Sequence, residues 1–406
     1  MGSNLPKIHI DKVVENLYIL RVDDDEVKYF EALWSIPEGI TYNSYILITN
    51  EGVVLFDSWK HTYADLFIEA LHKVVDLKDI KYVVIHHMEQ DHSGSLPKLL
   101  ELVDRNVTVL GHPIVKDMLS SFYGIKPVFK AVKDLEDIVI GDKKLKFIYI
   151  PWLHWPDTIA TYIDELKVLL SCDVFGGYGI PSTLFDDDNK VVEQYLPLVR
   201  KYVATVVGHY REHIVKNIDK IANLNIDIKL IAPAHGLVWR NNPKFIVDYY
   251  HKLGFAEPDK RKIVVIYSSM YGLVEKSIKV VVDELTKKDF NVKIFAFTES
   301  NQAPISDIIG DSIDAYAIII GASAYENKLF PQIEYIIKML MNKVNAEKPI
   351  IILNTFGWGK ISEDYIKSLF SGSSFKLVEI VNIRGAPKNV DIEKLRQVVE
   401  KLFISS

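Results

Sequence analysis

Cysteine is almost missing from this chain: Cys172 is the single one in 406 residues. A disulfide framework, a four-cysteine metal site and an iron–sulfur cluster are therefore excluded within one chain, and any metal must be held by His, Asp and Glu. Long apolar runs are also lacking, since no segment approaches the ~18 uninterrupted apolar residues of a membrane helix. Neither charge sign dominates. The net charge of −6 argues against nucleic acid as a partner, because phosphate binding rests on Lys and Arg. The start, Met-Gly-Ser-Asn-Leu-Pro-Lys, has no apolar stretch for export and puts Pro6 where a myristoylation signal needs Ser or Thr. The expectation is a cytoplasmic protein with no membrane partner. Histidine is absent beyond His251, the first sign of two chemically different halves.

What is present fits two globular domains. Hydrophobic residues make up 49% and charged residues 25%, and the length exceeds what one core usually supports. Gly254-Phe-Ala-Glu-Pro-Asp-Lys-Arg-Lys262 breaks the apolar periodicity with Gly, Pro and charge. The boundary is placed there, giving domains 1–255 and 262–406. Upstream, short β-rich runs (Tyr45–Thr49, Val53–Phe56, Tyr82–His86, Thr108–Leu110, Lys146–Ile150, Val168–Ser171, Leu230–Ile231) alternate with helical patterns at Ala64–Val75 and Glu193–Ile218. The acidic runs Asp23–Glu26 and Asp186–Asp188 read as solvated loops. Downstream the pattern is regular: strands Ile263–Tyr267, Val292–Phe297, Ala317–Gly321, Ile350–Asn354 and Leu377–Val381 alternate with helices Glu275–Lys287, Pro331–Asn342 and Ile392–Phe403. That alternation predicts a parallel, doubly wound sheet.

The densest chemistry is His86-His87-Met88-Glu89-Gln90-Asp91-His92, directly after an apolar strand. In an extended segment side chains alternate, so His87, Glu89 and Asp91 can share one side while His92 closes the turn. His86 points the other way, toward packing. Further candidates follow later strands: His154 in Pro151-Trp-Leu-His-Trp-Pro-Asp157, Asp173 after Val168–Ser171, and His235 in Ala232-Pro-Ala-His-Gly236. Loops at strand ends can converge on one face of a rigid scaffold. Singly each of these residues reads as a cap or a satisfied core group. Together they make four His and three carboxylates, a metal-binding set.

The arrangement resembles the metallo-β-lactamase fold, in which a His-x-His-x-Asp-His loop and later His, Asp and His residues bind two metals. Glu89 stands where the second His would be. A carboxylate there makes the site more oxygen-rich and disfavours zinc relative to iron on ligand type. His-x-Glu-x-Asp-His, His in His-Trp-Pro-Asp, Asp shortly before Phe-Gly and His in Ala-His-Gly all resemble flavodiiron proteins. That resemblance implies one iron on His87, Glu89 and His154, a second on Asp91, His92 and His235, and Asp173 bridging. It implies an N-terminal αββα sandwich followed by a flavodoxin-like sheet of order 2-1-3-4-5. Cys172 is expected to face away from the site as a small core residue, and Tyr42-Asn43-Ser44-Tyr45 resembles a segment near the family's substrate pocket.

The second half carries three strand-end loops. Ser268, Ser269, Met270, Tyr271, Gly272, Leu273 and Val274 lead from a strand into a helix, an arrangement that favours phosphate through backbone N–H groups and the helix N-terminus. Ala322, Ser323, Ala324, Tyr325 and Asn327 follow the next strand, and Thr355, Phe356, Gly357, Trp358 and Gly359 the one after. Aromatics beside glycines suit a flavin ring. This part resembles the flavodoxin domain of flavodiiron proteins and so implies FMN. Val274 in place of Thr, and Ala322-Ser323-Ala324 in place of Ser-Pro-Thr, predict a lowered FMN affinity.

The resemblance implies an oxidoreductase reducing dioxygen to water, nitric oxide to nitrous oxide, or both, at the two irons with electrons relayed through FMN. It also implies a head-to-tail homodimer, or a dimer of dimers, in which one chain's FMN approaches the other's irons. With one Cys there is no fused rubredoxin, so a separate donor is required: a rubredoxin-like protein, a reductase or reduced deazaflavin. Phe30-Glu31-Ala32-Leu33-Trp34 lacks the His that many members carry nearby and looks more like the deazaflavin-oxidising members. Two other readings compete, a dinuclear zinc hydrolase with a flavodoxin-like appendage and a flavodoxin-type electron carrier with a docking module.

Overall fold

The computed structural model describes residues 6–404; residues 1–5, on which the export reading rests, lie outside them. Contacts divide the chain into two compact units. One runs to Gly254 but omits Val203–His209, and the other joins that short segment to the chain from Phe255 onward.

The first unit holds two mixed sheets. The larger has the order Ile8–Val14, Leu17–Asp24, Ile40–Thr49, Gly52–Phe56, Ile80–Ile85, Thr108–Gly111, Val128–Ala131. The smaller has the order Asp137–Ile140, Lys143–Tyr149, Ile159–Ile163, Val168–Cys172, Leu230–Pro233. Leu17, Leu47, Val54 and Phe56 from one sheet and Leu145, Phe147, Leu170 and Ala232 from the other form one buried cluster. Each fully buried Leu or Phe there contributes about 1.5–3 kcal/mol relative to exposure, which sets two sheets face to face. Strand direction then sets where chemistry can gather. Lys143–Tyr149 is antiparallel to Ile159–Ile163, which is antiparallel to Val168–Cys172, which is parallel to Leu230–Pro233. Three strands therefore end at the same edge, and His154, Asp173 and His235 follow those ends.

Two sequence expectations change here. The helix predicted over 193–218 is interrupted: Asn189–Tyr202 gives way to a π-helical turn, Val203–Val207, a 3-10 turn, Gly208–Tyr210, and a new helix, Arg211–Asn223. Val203–Val207 is buried throughout, so its apolar run hides the break in period. Gly208 is needed at that break because a Cβ would lie 2.5 Å from the Lys343 carbonyl oxygen. The acidic runs are also not simply solvated. Asp23 and Asp24 are buried, Asp23 accepting from Arg21 Nε at 2.7 Å and Asp24 from the Tyr42 hydroxyl at 3.1 Å. Asp186 is buried and caps the backbone N–H groups of Arg240, Asn241 and Asn242 at 2.8–3.1 Å. A buried carboxylate persists where donors replace its water.

In the second unit five parallel strands stand in the order Asn291–Phe297, Asp259–Ser268, Ala315–Tyr325, Pro349–Phe356, Lys376–Arg384, which is 2-1-3-4-5. Val274, Ile278, Val281 and Leu285 of the helix Leu273–Lys287 recur every three or four residues and cover Ile263, Val265, Ile319 and Ile351. A helix absent from the sequence reading, Ile305–Ser312, buries Ile308 and Ile309. Its Gly310 and short length leave little periodic signal. Among the described residues no helix is long and apolar enough to cross a membrane.

Candidate metal centre and cofactor pocket

Strand alternation carries past Ile85 and sorts the two adjacent histidines. His86 turns into the core, where Nδ1 meets Asp57 Oδ2 at 2.7 Å, Nε2 meets Thr161 Oγ1 at 2.9 Å, and the ring stacks on Phe56 at 5.7 Å. His87 turns the opposite way. Its Nε2 lies 3.4 Å from Glu89 Oε2, which lies 2.8 Å from His154 Nε2. A short helix, Gln90–Ser93, then brings Asp91 and His92 alongside. His92 Nε2 is 3.4 Å from Asp91 Oδ1, and His235 Nε2 is 3.5 Å from Asp91 Oδ2. Asp173 lies between the two groups, Oδ1 3.1 Å from both His92 and His235, and Oδ2 4.0 and 3.9 Å from His87 and His154. All seven predicted residues converge. Three ligand triads, His87/Glu89/His154, Asp91/His92/His235 and His87/His92/Asp173, each keep their donor atoms within 4.8 Å of one another.

The donor atoms fit metal ions on their own evidence. Nε2 of His87, His92, His154 and His235, Glu89 Oε2 and both Asp91 oxygens are buried without a hydrogen-bond partner. Each such group costs about 1–3 kcal/mol, so seven gathered at one point call for cations. His87 Nδ1 faces the Asp157 carboxylate at 3.3 and 3.4 Å, and His235 Nδ1 faces the Thr41 carbonyl at 2.7 Å. Both neighbours only accept, so each Nδ1 carries the proton and each Nε2 presents a lone pair inward. With only protons to share, the titration is strongly displaced. Burial opposes charging His92, but Asp91 and Asp173 outweigh it and push its pKa up to about 10. His87 is likewise held well above the ordinary range against burial by Asp157 and Glu89. Burial raises Asp173, yet His92, His235 and His87 hold it well below the carboxylate range. Asp91 goes up, chiefly from burial.

Several residues outside the seven position this cluster. Asp157, fully buried, also accepts the Met88 N–H at 2.8 Å and so ties the loop after Ile85 to the loop of His154. The Tyr202 hydroxyl donates to Asp173 Oδ1 at 2.8 Å. Within Tyr42–Tyr45 the work is divided. Asn43 Nδ2 donates to the Pro233 and Gly236 carbonyls and the Tyr45 hydroxyl to Pro233, clamping the loop of His235, while the Tyr42 ring stands 5.9 Å from the His235 ring. Tyr42, Phe30, Glu31, Lys60 and His61 line a cavity of about 160 Å³ with Glu89 and Asp91 in its wall. Cys172 departs from expectation. Its φ of 55° and the register shift beside it break the alternation, so the buried thiol lies 3.7 Å from Asp173 Oδ2 instead of facing away. Burial and the Asp173 charge push that thiol well up, keeping it protonated.

Gly236 is a sharp constraint on His235. Its φ is +75°, and a Cβ would stand 1.6 Å from the Tyr195 hydroxyl oxygen. Gly236→Ala is expected to cost at least about 1–2 kcal/mol from left-handed strain alone, and displacement of Tyr195 adds to it. The measurement is thermal unfolding together with metal content, and an unchanged Tm with full metal loading would contradict this account.

In the second unit the three loops line one cavity of about 660 Å³ at adjacent strand ends, within the ordinary size of a cofactor site. From the first loop come Ser269, Met270, Tyr271, Leu273 and Val274; from the second Ser323, Ala324, Tyr325 and Asn327; from the third Thr355 to Gly359. Three expected residues do not line it. Ser268 is the buried last residue of its strand. Gly272 caps the helix with φ 79° and donates its N–H to Ser269 Oγ at 3.0 Å. Ala322 sits inside its strand opposite Asn354. Glu326 and Gly385 line it unannounced; Gly385 follows the fifth strand, whose loop has neither hydroxyl nor aromatic to mark it. Trp358 is 95% and Tyr271 83% exposed, so both are rim aromatics and not core residues. The buried Ser323 hydroxyl has no partner and the space beside Gly357 is open, which fits a planar polar cofactor.

A family model described as ODP family beta lactamase matches residues 40–236. The chain is 28% identical over 396 residues to the nitric oxide reductase of Moorella thermoacetica, covering 96% of this chain and 97% of that protein. Its structure is similar to that of a histidine-to-aspartate variant of the flavo di-iron protein of Thermotoga maritima, with TM-score 0.94 and 39% identity over 99% of this chain and 100% of the other. It is also similar to rubredoxin oxygen:oxidoreductase from Desulfovibrio gigas, with TM-score 0.91 and 25% identity over 98% of each chain. With sequence and structural likeness running the length of both units, this chain belongs to the flavodiiron protein family.

Proposed function

We propose that the protein reduces dioxygen to water, or nitric oxide to nitrous oxide, at two irons, with electrons entering through FMN. The observation that carries this is the seven-residue cluster with its inward, unpartnered donor atoms and Glu89 among them. His87, Glu89 and His154 are assigned to one iron, Asp91, His92 and His235 to the other, and Asp173 to both. The pocket of 660 Å³ is assigned to FMN. Iron held there would supply one-electron redox chemistry toward a diatomic oxidant, and FMN in its pocket would take up electrons from the donor and pass them on. The chain's own part is to fix the imidazole tautomers through Asp157 and Thr41, hold the Asp173 carboxylate with Tyr202, and restrict access to a cavity walled by Tyr42 and Phe30. A separate donor, a rubredoxin-like protein, a reductase or reduced deazaflavin, delivers the electrons, and the working form is a head-to-tail dimer in the cytoplasm. An active monomer by gel filtration would contradict the dimer.

Metal analysis with a visible spectrum tests the whole assignment. Near two irons and one flavin per chain is the expected result. Two zincs with no yellow colour would favour a hydrolase, and flavin without metal an electron carrier. Anaerobic turnover with nitric oxide, set against oxygen consumption, then fixes the substrate. For the flavin half, Trp358→Ala is expected to weaken FMN about tenfold, roughly 1.4 kcal/mol, by removing an aromatic that covers the ring. Fluorescence titration of flavin-stripped protein measures it; unchanged affinity would take Trp358 out of the site.

A further inference from the structure

The hairpin beside the metal cavity is held in a conformation that its residues disfavour. Tyr29–Phe30 pairs with Trp34–Ser35, and the Leu33 N–H donates to the Phe30 carbonyl at 3.0 Å, closing a turn between them. The central residues of that turn, Glu31 and Ala32, both stand at positive φ, 49° and 56°. This is the condition of a type I′ turn, which Asn-Gly meets without strain. Glu and Ala carry left-handed strain instead. Such strain persists only where the surroundings over-determine it, and it gathers at binding sites. Here Phe30 and Trp34, both buried, flank the turn, and the Trp34 indole N–H donates to Glu31 Oε2 at 3.1 Å. What the turn places is Glu31, in the wall of the cavity that also holds Glu89 and Asp91.

That cavity selects poorly by size. At about 160 Å³ it is several times the ~30 Å³ share of one liquid water, so azide or nitrite fits wherever dioxygen or nitric oxide fits. Charge separates them, because a carboxylate repels an anion and leaves a neutral diatomic unaffected. The other charged groups of the wall are answered close by. Lys60 Nζ lies 3.7 Å from the buried Asp24 carboxylate, which also accepts from the Tyr42 hydroxyl at 3.1 Å, and Glu89 and Asp91 are assigned to metal. His61 stands on the same wall. We propose that Glu31 is a specificity-determining residue of this cavity: its carboxylate keeps small anions off the metal centre while neutral oxidants pass. Glu31 is solvent-exposed, so salt screens its field in part. The inference rests on the two-iron assignment above.

The test uses iron-loaded holoprotein in dilute salt at about pH 8, above the ordinary histidine range, and compares two binding titrations: azide on the oxidised protein and nitric oxide on the reduced protein. Glu31→Gln keeps the side chain's length and an acceptor for Trp34 but removes the charge. It should raise the ratio of azide to nitric oxide affinity about tenfold, and Glu31→Lys, which reverses the charge, about 100-fold. Concentrated salt should shrink both gains. Ala32→Gly relaxes the turn with the charge retained, so the iron-free protein should melt at a higher Tm while the affinity ratio stays at the wild-type value. An unmoved ratio in Glu31→Gln overturns the proposal, as does a lower Tm in Ala32→Gly, which would remove the strain on which it stands. Two irons per chain with an unmoved ratio would refute this inference and leave the two-iron assignment standing; absence of iron would refute the assignment itself.

Discussion

Replacing Glu89 with histidine is expected to lower iron to about one per chain or less and turnover with either oxidant by more than about 100-fold, because even outer-shell changes cost 10–100-fold in affinity or activity. Glu89 Oε2 is the one anionic donor within 3.4 Å of both His87 and His154, and Asp173 stands farther from that pair, at about 4 Å. An imidazole in its place leaves two carboxylates to balance two cations and shifts the set toward the nitrogen-rich donors that suit zinc. FMN content should not change, since every FMN-lining residue lies in the other unit. Elemental analysis of protein grown with iron and with zinc, beside the flavin spectrum, measures the effect. Wild-type iron content in Glu89→His would show that carboxylate identity at this position does not select the metal.

Part of the cluster was legible because strand alternation is a local rule, but Asp91 and His92 come from the short helix Gln90–Ser93 and not from the extended segment expected there. His86 and His87 are neighbours in sequence, and the rule sends one to Asp57 and the other to Glu89. It failed at Cys172, where a register shift and a positive φ interrupt the strand. Neither is written in the residue type. Long-range partners were hidden for a different reason. Tyr202 reaches Asp173 across 29 residues, from a helix end that carries no motif, and Asp157 shows its purpose only once His87 is beside it. The acidic run reads as solvent-facing because Tyr42, the donor to Asp24, lies on the neighbouring strand, and Arg21, two residues before Asp23, shows as its donor only once that strand is buried. The five-stranded parallel sheet followed from strand–helix alternation alone, whereas the opening hairpin of Ile8–Val14 with Leu17–Asp24 did not emerge from a stretch crowded with charge.

The stability of the iron-stripped protein and its affinity for iron should depend on pH with opposite signs. His92, raised in the folded chain from 6.5 to about 10, contributes stability that is fully present below pH 6.5 and lost as pH climbs through about 10. Asp173, depressed on folding, contributes stability present above its ordinary value of 3.8 and lost as pH falls below it. The stripped protein is therefore most stable between about pH 4 and 6.5, and its Tm falls as pH rises from there. Iron, however, needs His92 Nε2 free of its proton. Binding below pH 10 expels that proton, and affinity should rise about tenfold per pH unit for each proton released. Calorimetric melts of stripped protein across pH 5.5–8.5, roughly the range that brackets the ordinary His value, test the first slope. An anaerobic ferrous titration followed with a pH electrode in dilute buffer tests the second. His92→Gln should flatten both. A stripped-protein Tm that rises with pH across that range, or iron uptake without proton release, would mean that the carboxylates around His92 do not hold it charged.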